Sequence, residues 1–229
     1  MYQSKSFLAV IPARGGSKRL PKKNVLDLNG KPLIEWSIEA GLKSKYIDKV
    51  VVTSDDAETL GIAESSGVLA INRPVELASD TATTFDAIKH TINNVDNYDY
   101  IVLLQPTSPL RTAQHIDEAI EALFEKYADA IVSVCEVDHS PLWSNILPED
   151  GCMDGFLPKK AEGKRSQELE KYYRINGAIY ILKKDKLLKD RCINTNGNVF
   201  SYLMDRRSSI DIDEGLDLDM CRLIMNTEH

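Results

Sequence analysis

A cluster of basic and small residues follows the first apolar segment of the chain. The stretch Arg14 to Asn24 contains five basic residues, and the first acidic residue of the chain is Asp27. Gly15 and Gly16 permit positive φ angles and a close approach of backbone N–H groups to a ligand, and Ser17 adds a hydroxyl. This composition is typical of a loop that holds a polyphosphate. It matches neither a Walker A loop nor a dinucleotide fingerprint, because GxxxxGK[ST] and GxGxxG do not occur in the sequence.

A pair of aspartates lies near the other end of the chain. Asp211 and Asp213 alternate with Ile210 and Ile212, so the two carboxylates share one face if the isoleucines point into the core. Oxygen ligands in this arrangement suit Mg²⁺. The alternative is that Asp213 only caps the helix that follows. A cationic loop with a metal-binding acidic pair is typical of nucleotidyl or phosphoryl transfer, because it stabilises the charge that develops on a leaving pyrophosphate.

Polar residues also follow the other predicted strands. Ser54 and Asp55 follow the second strand, Arg73 the third, and the QPTS sequence of residues 105–108 the fourth. Each is individually a weak signal, since such residues often only form turns. Because ligands bind at the carboxyl ends of parallel strands, we expect these residues to line one rim with the basic loop.

Nearly continuous apolar runs alternate with segments of helical period. The runs predict buried strands at residues 7–13, 49–55, 100–106 and 130–137 and a weaker strand at 68–74, and regular structure resumes at residues 175–182. Helices are predicted over residues 34–42, 85–95 and 116–124, and at the C-terminal end with a core face of Leu216, Met220, Leu223 and Ile224. This alternation predicts an α/β, Rossmann-like fold whose mostly parallel sheet has helices on both faces.

The segment 138–173 differs from the rest of the chain. It contains prolines, glycines and charges without a sustained period, which predicts a small β-rich or extended arm inserted into the main domain. The nucleotide-binding α/β domain would then comprise residues 1–137 and 174–229. Because such an arm has little core of its own, we expect it to pack against a second subunit.

Composition excludes several functional classes. The 229 residues, 43% of them hydrophobic and 28% charged, predict one globular domain with a small appendage. A net charge of −7 argues against nucleic-acid binding. The four cysteines form no CxxC pair, which indicates reduced thiols, and no apolar run approaches the roughly 20 residues that span a bilayer. We therefore expect a cytoplasmic protein that binds neither nucleic acid nor membrane.

Five sequence blocks occur in order over nearly the whole chain: IPARGGSKRLPKKN (11–24), RPVELASDTATT (73–84), LLQPTSPLR (103–111), NGAIYI (176–181) and SIDIDEGLD (209–217). Together they resemble the acylneuraminate cytidylyltransferases, also called CMP-sialic acid synthetases. The resemblance implies that CTP and a nine-carbon α-keto acid sugar react to give the CMP-sugar and pyrophosphate. It implies direct attack of the anomeric hydroxyl on the α-phosphate of CTP, with Mg²⁺ as cofactor and Mn²⁺ as a substitute.

The resemblance also implies roles for individual residues. The triphosphate would be held by Arg14, Ser17 and Lys23. Ribose and cytosine would be surrounded by Asn24, Arg73, Ala82 and Thr84. The sugar would contact Gln105, Asn176 and Tyr180, and its carboxylate would pair with Arg165 from the arm of the other subunit in a homodimer. The metal would be bound by Asp211 and Asp213, and the catalytic set would be Arg14, Lys23, Asp211 and Asp213.

The identity of the sugar and one other enzyme class remain open at this point. Trp143 stands where family members specialised for N-acetylneuraminic acid often have a basic residue. This difference favours considering legionaminic, pseudaminic and 3-deoxy-manno-octulosonic acids as alternatives, although the resemblance itself makes N-acetylneuraminic acid the leading candidate. A metal-dependent glycosyltransferase is the alternative of another class, because Asp211 to Asp213 fits a DxD motif. That hypothesis leaves the cationic loop unexplained.

Overall fold

The computed structural model describes residues 1–79, 81–193 and 196–227. Within these ranges the strands are β1 (Phe7–Pro12), β2 (Asp27–Leu28), β3 (Lys31–Pro32), β4 (Lys49–Ser54), β5 (Leu69–Asn72), β6 (Tyr100–Leu103), β7 (Ala130–Glu136), β8 (Tyr173–Lys183) and β9 (Val199–Leu203). The helices are α1 (Leu33–Lys43), α2 (Ala57–Ser65), α3 (Thr84–Ile92), α4 (Ala113–Glu125), α5 (Lys184–Asp190) and α6 (Gly215–Asn226).

Seven strands form one sheet in the order β5-β4-β1-β6-β8-β7-β9. Within the described part of this sheet only β8 is antiparallel to its neighbours, and the remaining pairs are parallel. The predicted mostly parallel sheet is therefore confirmed. The edge strand β9 and the short hairpin of β2 and β3 were not predicted, because neither has a long apolar run.

The central strand β1 is buried on both faces and separates two layers of helices. Phe7, Ala9 and Ile11 belong to a core cluster with residues of α1, α2 and α4. Leu8 and Val10 pack with residues of α3 and α5 on the other side. Because successive side chains of a strand point to opposite faces, this one apolar run fills both cores. The predicted helices on both faces are confirmed.

The predicted core face of the C-terminal helix is wrong. Leu216, Met220 and Leu223 are exposed, whereas Leu218 and Cys221 are buried against α1 and β2. Both sets of residues fit a helical period. Which set is buried depends on the path of the chain before the helix. The periodicity of the residues does not specify that path.

The segment between β7 and β8 is extended and contains no β-strand within its described residues. It includes two short 3₁₀ turns, Pro141–Trp143 and Ser166–Glu168. Its ends lie together, because Glu136 pairs with Tyr173 across the sheet. It carries exposed apolar side chains, among them Ile146, which is 88% exposed. No helix within the described residues is long and apolar enough to cross a membrane.

Because α4 packs against the sheet, the free energy of unfolding should depend strongly on the buried side chains of α4. Leu123→Ala should lower the free energy of unfolding by about 2–5 kcal/mol, because Leu123 is 1% exposed and its removal leaves a cavity. Leu223→Ala in α6 is the matched control, since that leucine is 65% exposed, and we expect a change below about 0.5 kcal/mol. Urea unfolding measures both values, and equal losses would contradict this description of the core.

Candidate functional site

A cleft of about 460 Å³ lies at the carboxyl ends of the parallel strands. It brings together most of the residues singled out in the sequence: Arg14, Ser17, Lys23, Asn24, Arg73, Ala82, Thr84, Gln105 and Asp213. Lys18, Arg19 and Thr107 also line it. The convergence expected of residues that follow different strands therefore occurs at one rim of the sheet.

Asp55 holds the glycine-containing loop against the end of β4. The Gly15 N–H donates to Asp55 Oδ1 at 3.0 Å, and Asn24 Nδ2 donates to the Arg14 carbonyl at 3.0 Å. A Cβ atom on Gly15 would lie 3.0 Å from Asp56 Cβ, so a larger residue would push the loop away from this strand. The sequence analysis places Asp55 at the rim without a role. Its position directly after a buried strand was the only indication that it belongs to the site.

Arg73 is a buried cation at the wall of the cleft. It is 5% exposed, and its Nη2 lies 3.7 Å from Asp55 Oδ1. Burial lowers the pKa of Arg73, and the neighbouring Asp55 opposes that shift. Its Nε and Nη2 atoms have no hydrogen-bond partner among the described residues. Arg73 lines the cleft, and a guanidinium with unused donors can bind oxygen atoms of a ligand.

The acidic segment and the basic loop are joined directly. Lys23 Nζ donates to the Ile212 carbonyl at 2.6 Å and lies 3.2 Å from Asp213 Oδ1. Arg19 pairs with the other oxygen of Asp213 at 2.9 Å. Arg19 was not among the predicted site residues, because the spacing within a cationic loop does not identify which cation meets an acid elsewhere in the chain.

The alternating pattern of the acidic segment is confirmed. Ile212 is buried and Ile210 is partly buried in the same cluster, and the Ile212 N–H donates to the Thr107 carbonyl at 2.8 Å. Asp213 does not cap α6. Asp217 accepts the N–H groups of residues 213 and 214 instead, so the carboxylate of Asp213 stays at the cleft.

Asp211 is the less solvated member of the acidic pair. Burial raises its pKa, and repulsion from Asp213 adds to that rise, whereas Thr107, Lys23 and Arg174 oppose it. The buried Oδ1 atom of Asp211 has no hydrogen-bond partner among the described residues. The described part of the chain contains no group of three or more potential metal ligands. Two carboxylates with an unpaired oxygen fit Mg²⁺, which is commonly held by one or two carboxylates together with substrate phosphates and water.

A second cavity of about 350 Å³ adjoins the first. The two share Thr83, Thr84 and Gln105. The second is otherwise lined mainly by apolar and aromatic side chains, including Tyr180. Burial raises the pKa of Tyr180, and the charge of Asp211 acts in the same direction. This arrangement can hold a second, partly apolar ligand beside the first.

Two residues expected near the sugar are placed differently. Asn176 is 2% exposed, with its Oδ1 2.5 Å from Ser133 Oγ and its Nδ2 donating to Ser209 Oγ at 2.8 Å. It thereby ties β7 to the segment that leads into Asp211. Arg165 lies exposed in the segment between β7 and β8, and neither cavity includes it among its described lining residues.

Known proteins are similar to this chain in sequence and in fold. A family model described as cytidylyltransferase matches residues 8–202. The chain is 37% identical to an N-acylneuraminate cytidylyltransferase of Escherichia coli O18:K1:H7, over 97% of this chain and 53% of the relative. It is 33% identical to a pseudaminic acid cytidylyltransferase of Campylobacter jejuni, with 97% of each chain covered. This chain spans about half the length of the N-acylneuraminate cytidylyltransferases that it matches in E. coli and Streptococcus agalactiae.

The fold also matches a solved structure, that of a CMP:2-keto-3-deoxy-manno-octonic acid synthetase complexed with CTP. The TM-score is 0.72 at 20% sequence identity, and the match covers 98% of this chain and 100% of the other. At that identity, the comparison shows similarity of fold only.

The contact between Arg73 and Asp55 predicts a coupled pair. Asp55→Asn keeps an acceptor for the Gly15 N–H but removes the charge beside a buried guanidinium, so it should lower the free energy of unfolding by about 1–3 kcal/mol. In an Arg73→Met background the same substitution should cost distinctly less. Urea unfolding of the four proteins gives the coupling, and strictly additive effects would show that the two residues do not interact.

Proposed function

This chain belongs to the cytidylyltransferase family, and from that premise we propose that it transfers CMP from CTP to a nonulosonic acid and releases pyrophosphate. A nonulosonic acid is a nine-carbon α-keto acid sugar, and N-acetylneuraminic acid is the leading candidate. The observation that best supports the proposal is the cleft in which Arg14, Lys23 and Asp213 converge beside a second cavity. A glycosyltransferase would start from an already activated sugar and would have no use for a cationic triphosphate loop.

The nucleotide occupies the larger cavity in this proposal. Arg14, Ser17 and Lys23 bind the triphosphate, since the loop that contains them lines the cleft with its cations. The base and ribose lie against Asn24, Arg73, Ala82 and Thr84. Arg73 lines the cleft and has hydrogen-bond donors without a partner among the described residues, which suits carbonyl and hydroxyl oxygens there.

The acidic pair holds Mg²⁺, or Mn²⁺ in its place. Asp211 and Asp213 supply the carboxylates, and the unpaired Oδ1 of Asp211 supports the assignment. A divalent cation at this place neutralises charge on the phosphate oxygens of CTP. Lys23 contacts both Asp213 and the preceding carbonyl, so it keeps the acidic pair beside the phosphate loop.

The acid sugar occupies the second cavity. Gln105 lines both cavities, and Tyr180 lines the second, so these two side chains are suited to orient the sugar towards the nucleotide. Asn176 contributes indirectly, because its hydrogen bonds with Ser133 and Ser209 hold the segments around this cavity in place. The anomeric oxygen attacks the α-phosphorus and loses its proton to water as the new P–O bond forms. The bond to the β-phosphate breaks and pyrophosphate leaves.

The arm, residues 138–173, completes the site of a second subunit in a homodimer. Its exposed Ile146, Leu147 and Met153 are apolar surface that such a contact would cover. Arg165 of one subunit then pairs with the sugar carboxylate in the site of the other, since a guanidinium binds a carboxylate through two parallel hydrogen bonds. Trp143, in the same arm, influences which nonulosonic acid the enzyme accepts, because an indole side chain offers apolar surface in place of a charge.

A pyrophosphate-release assay tests the reaction. With CTP, Mg²⁺ and a panel of N-acetylneuraminic, legionaminic, pseudaminic and 3-deoxy-manno-octulosonic acids, we expect release with at least one nonulosonic acid. Asp213→Asn should lower kcat roughly 100-fold or more, because it weakens charge stabilisation at the leaving phosphates. Asp219→Asn, on the exposed side of α6, is the control and should leave kcat unchanged. No release with any sugar by folded protein would refute the proposal.

Subunit complementation tests the role of the arm. Arg165→Gln and Lys23→Met should each be nearly inactive at low sugar concentration, whereas Lys164→Gln, which removes the adjacent charge, should not be. Co-expressing Arg165→Gln with Lys23→Met should restore about one quarter of wild-type activity, because half of randomly mixed dimers then contain one intact site. Activity no higher than that of the parent variants would show that Arg165 does not act across the dimer.

A further inference from the structure

The fully buried Arg111 is not used by the proposed reaction. It is 1% exposed and is among the largest fully buried side chains of the described structure. Burial lowers the pKa of Arg111 to about 9, which still leaves the guanidinium charged at neutral pH. Among the described residues no carboxylate pairs with it, and its Nη1 atom has no hydrogen-bond partner. An unpaired buried cation is costly, so its presence calls for a function.

The guanidinium of Arg111 joins three separate elements. Its Nη2 donates to Ser37 Oγ of α1 at 2.6 Å and to the Gln105 carbonyl, just beyond β6, at 3.3 Å. Its Nε donates to the Ala178 carbonyl of β8 at 3.2 Å. Because the guanidinium is planar and rigid, these bonds fix the relative positions of the two carbonyls.

One of the two carbonyls belongs to Gln105, which lines both cavities, and the other follows Gly177, which lies against the Gln105 side chain. Gly177 precedes Ala178 and has a φ of +78°, and a Cβ atom there would lie 2.9 Å from Gln105 Oε1. The side chain of Gln105 therefore lies close over the backbone of residue 177, and Arg111 holds the main chain on each side of that contact.

We propose that Arg111 is a positioning residue whose guanidinium sets the Gln105 side chain between the nucleotide cavity and the sugar cavity. A methionine or leucine could fill a similar volume without burying a charge, so packing alone does not explain an arginine here. The inference rests on the proposed function, because it concerns how the second substrate is oriented.

Arg111→Lys tests the proposal, since lysine keeps the charge but cannot form the same fork of hydrogen bonds. We expect kcat/KM for the acid sugar to fall roughly 10- to 100-fold, while KM for CTP stays within about twofold. In a Gln105→Ala background Arg111→Lys should cause little further loss, because the side chain that it positions is gone. The same fractional loss in both backgrounds, or an equal effect on both substrates, would overturn the proposal.

Ser37→Ala provides a milder test should Arg111→Lys fold poorly. Ser37 is buried and accepts a hydrogen bond from Arg111. We expect the same selective effect on the sugar, several-fold in size. Arg222→Lys is the matched control, since Arg222 also donates to a main-chain carbonyl, that of Asp27, but lies exposed on α6. If Ser37→Ala and Arg222→Lys behave alike, Arg111 does not position the site.

Hydrogen exchange tests the role of Arg111 independently of the proposed function. The Ser108 N–H donates to the Gln105 carbonyl, which Arg111 also contacts. The amide of Ser108 should therefore exchange faster in Arg111→Lys than in the wild type, whether or not any sugar reacts. Unchanged exchange would overturn the role of Arg111. Absence of pyrophosphate release by the wild type, with faster exchange in the variant, would overturn only the proposed function.

Discussion

The hydrogen bond from Lys23 to the Ile212 carbonyl links two segments that are 189 residues apart in sequence. The basic loop and the acidic segment each contain charges of one sign, and neither alone has both the cations and the carboxylates of the proposed nucleotide site. Their contact at Lys23, Arg19 and Asp213 places both charge types at one end of the sheet. The sheet makes this contact possible, since β1 is central and the acidic segment is held by Thr107, just beyond the neighbouring strand β6.

A net charge of −7 is compatible with the two anionic substrates of the proposed reaction because the charge is unevenly distributed. Five basic residues lie between Arg14 and Lys23, and four of them, Arg14, Lys18, Arg19 and Lys23, line the cleft. The local potential at a cleft depends on the charges that line it, and salt screens charges more than about 10 Å away. The overall charge of this protein therefore says little about its ligand.

Two arginines in this fold are buried at a cost to stability. Arg73 has Asp55 beside it, whereas Arg111 has only neutral oxygen acceptors among the described residues. Arg73 directly follows β5, and Arg111 lies in the segment between β6 and α4, two residues before that helix begins. Buried polar groups at such places fix the geometry of the backbone that faces a ligand, and proteins accept this cost mainly near functional sites.

The sequence by itself determined six of the seven strands of the main sheet, their mostly parallel arrangement and many residues of the cleft. Burial on both faces requires apolar runs such as β1, and the ends of parallel strands meet at one rim, so Arg73 and Gln105 could be placed without coordinates. Only the tertiary structure decided which apolar stripe of α6 is buried, that Asp217 and not Asp213 accepts the backbone N–H groups at the start of that helix, and that Asn176 is a buried link. It alone identified Arg19, Asp55 and Arg111 as partners in the site. The reason is physical: periodicity and composition are local properties, whereas these contacts depend on the path by which distant segments meet.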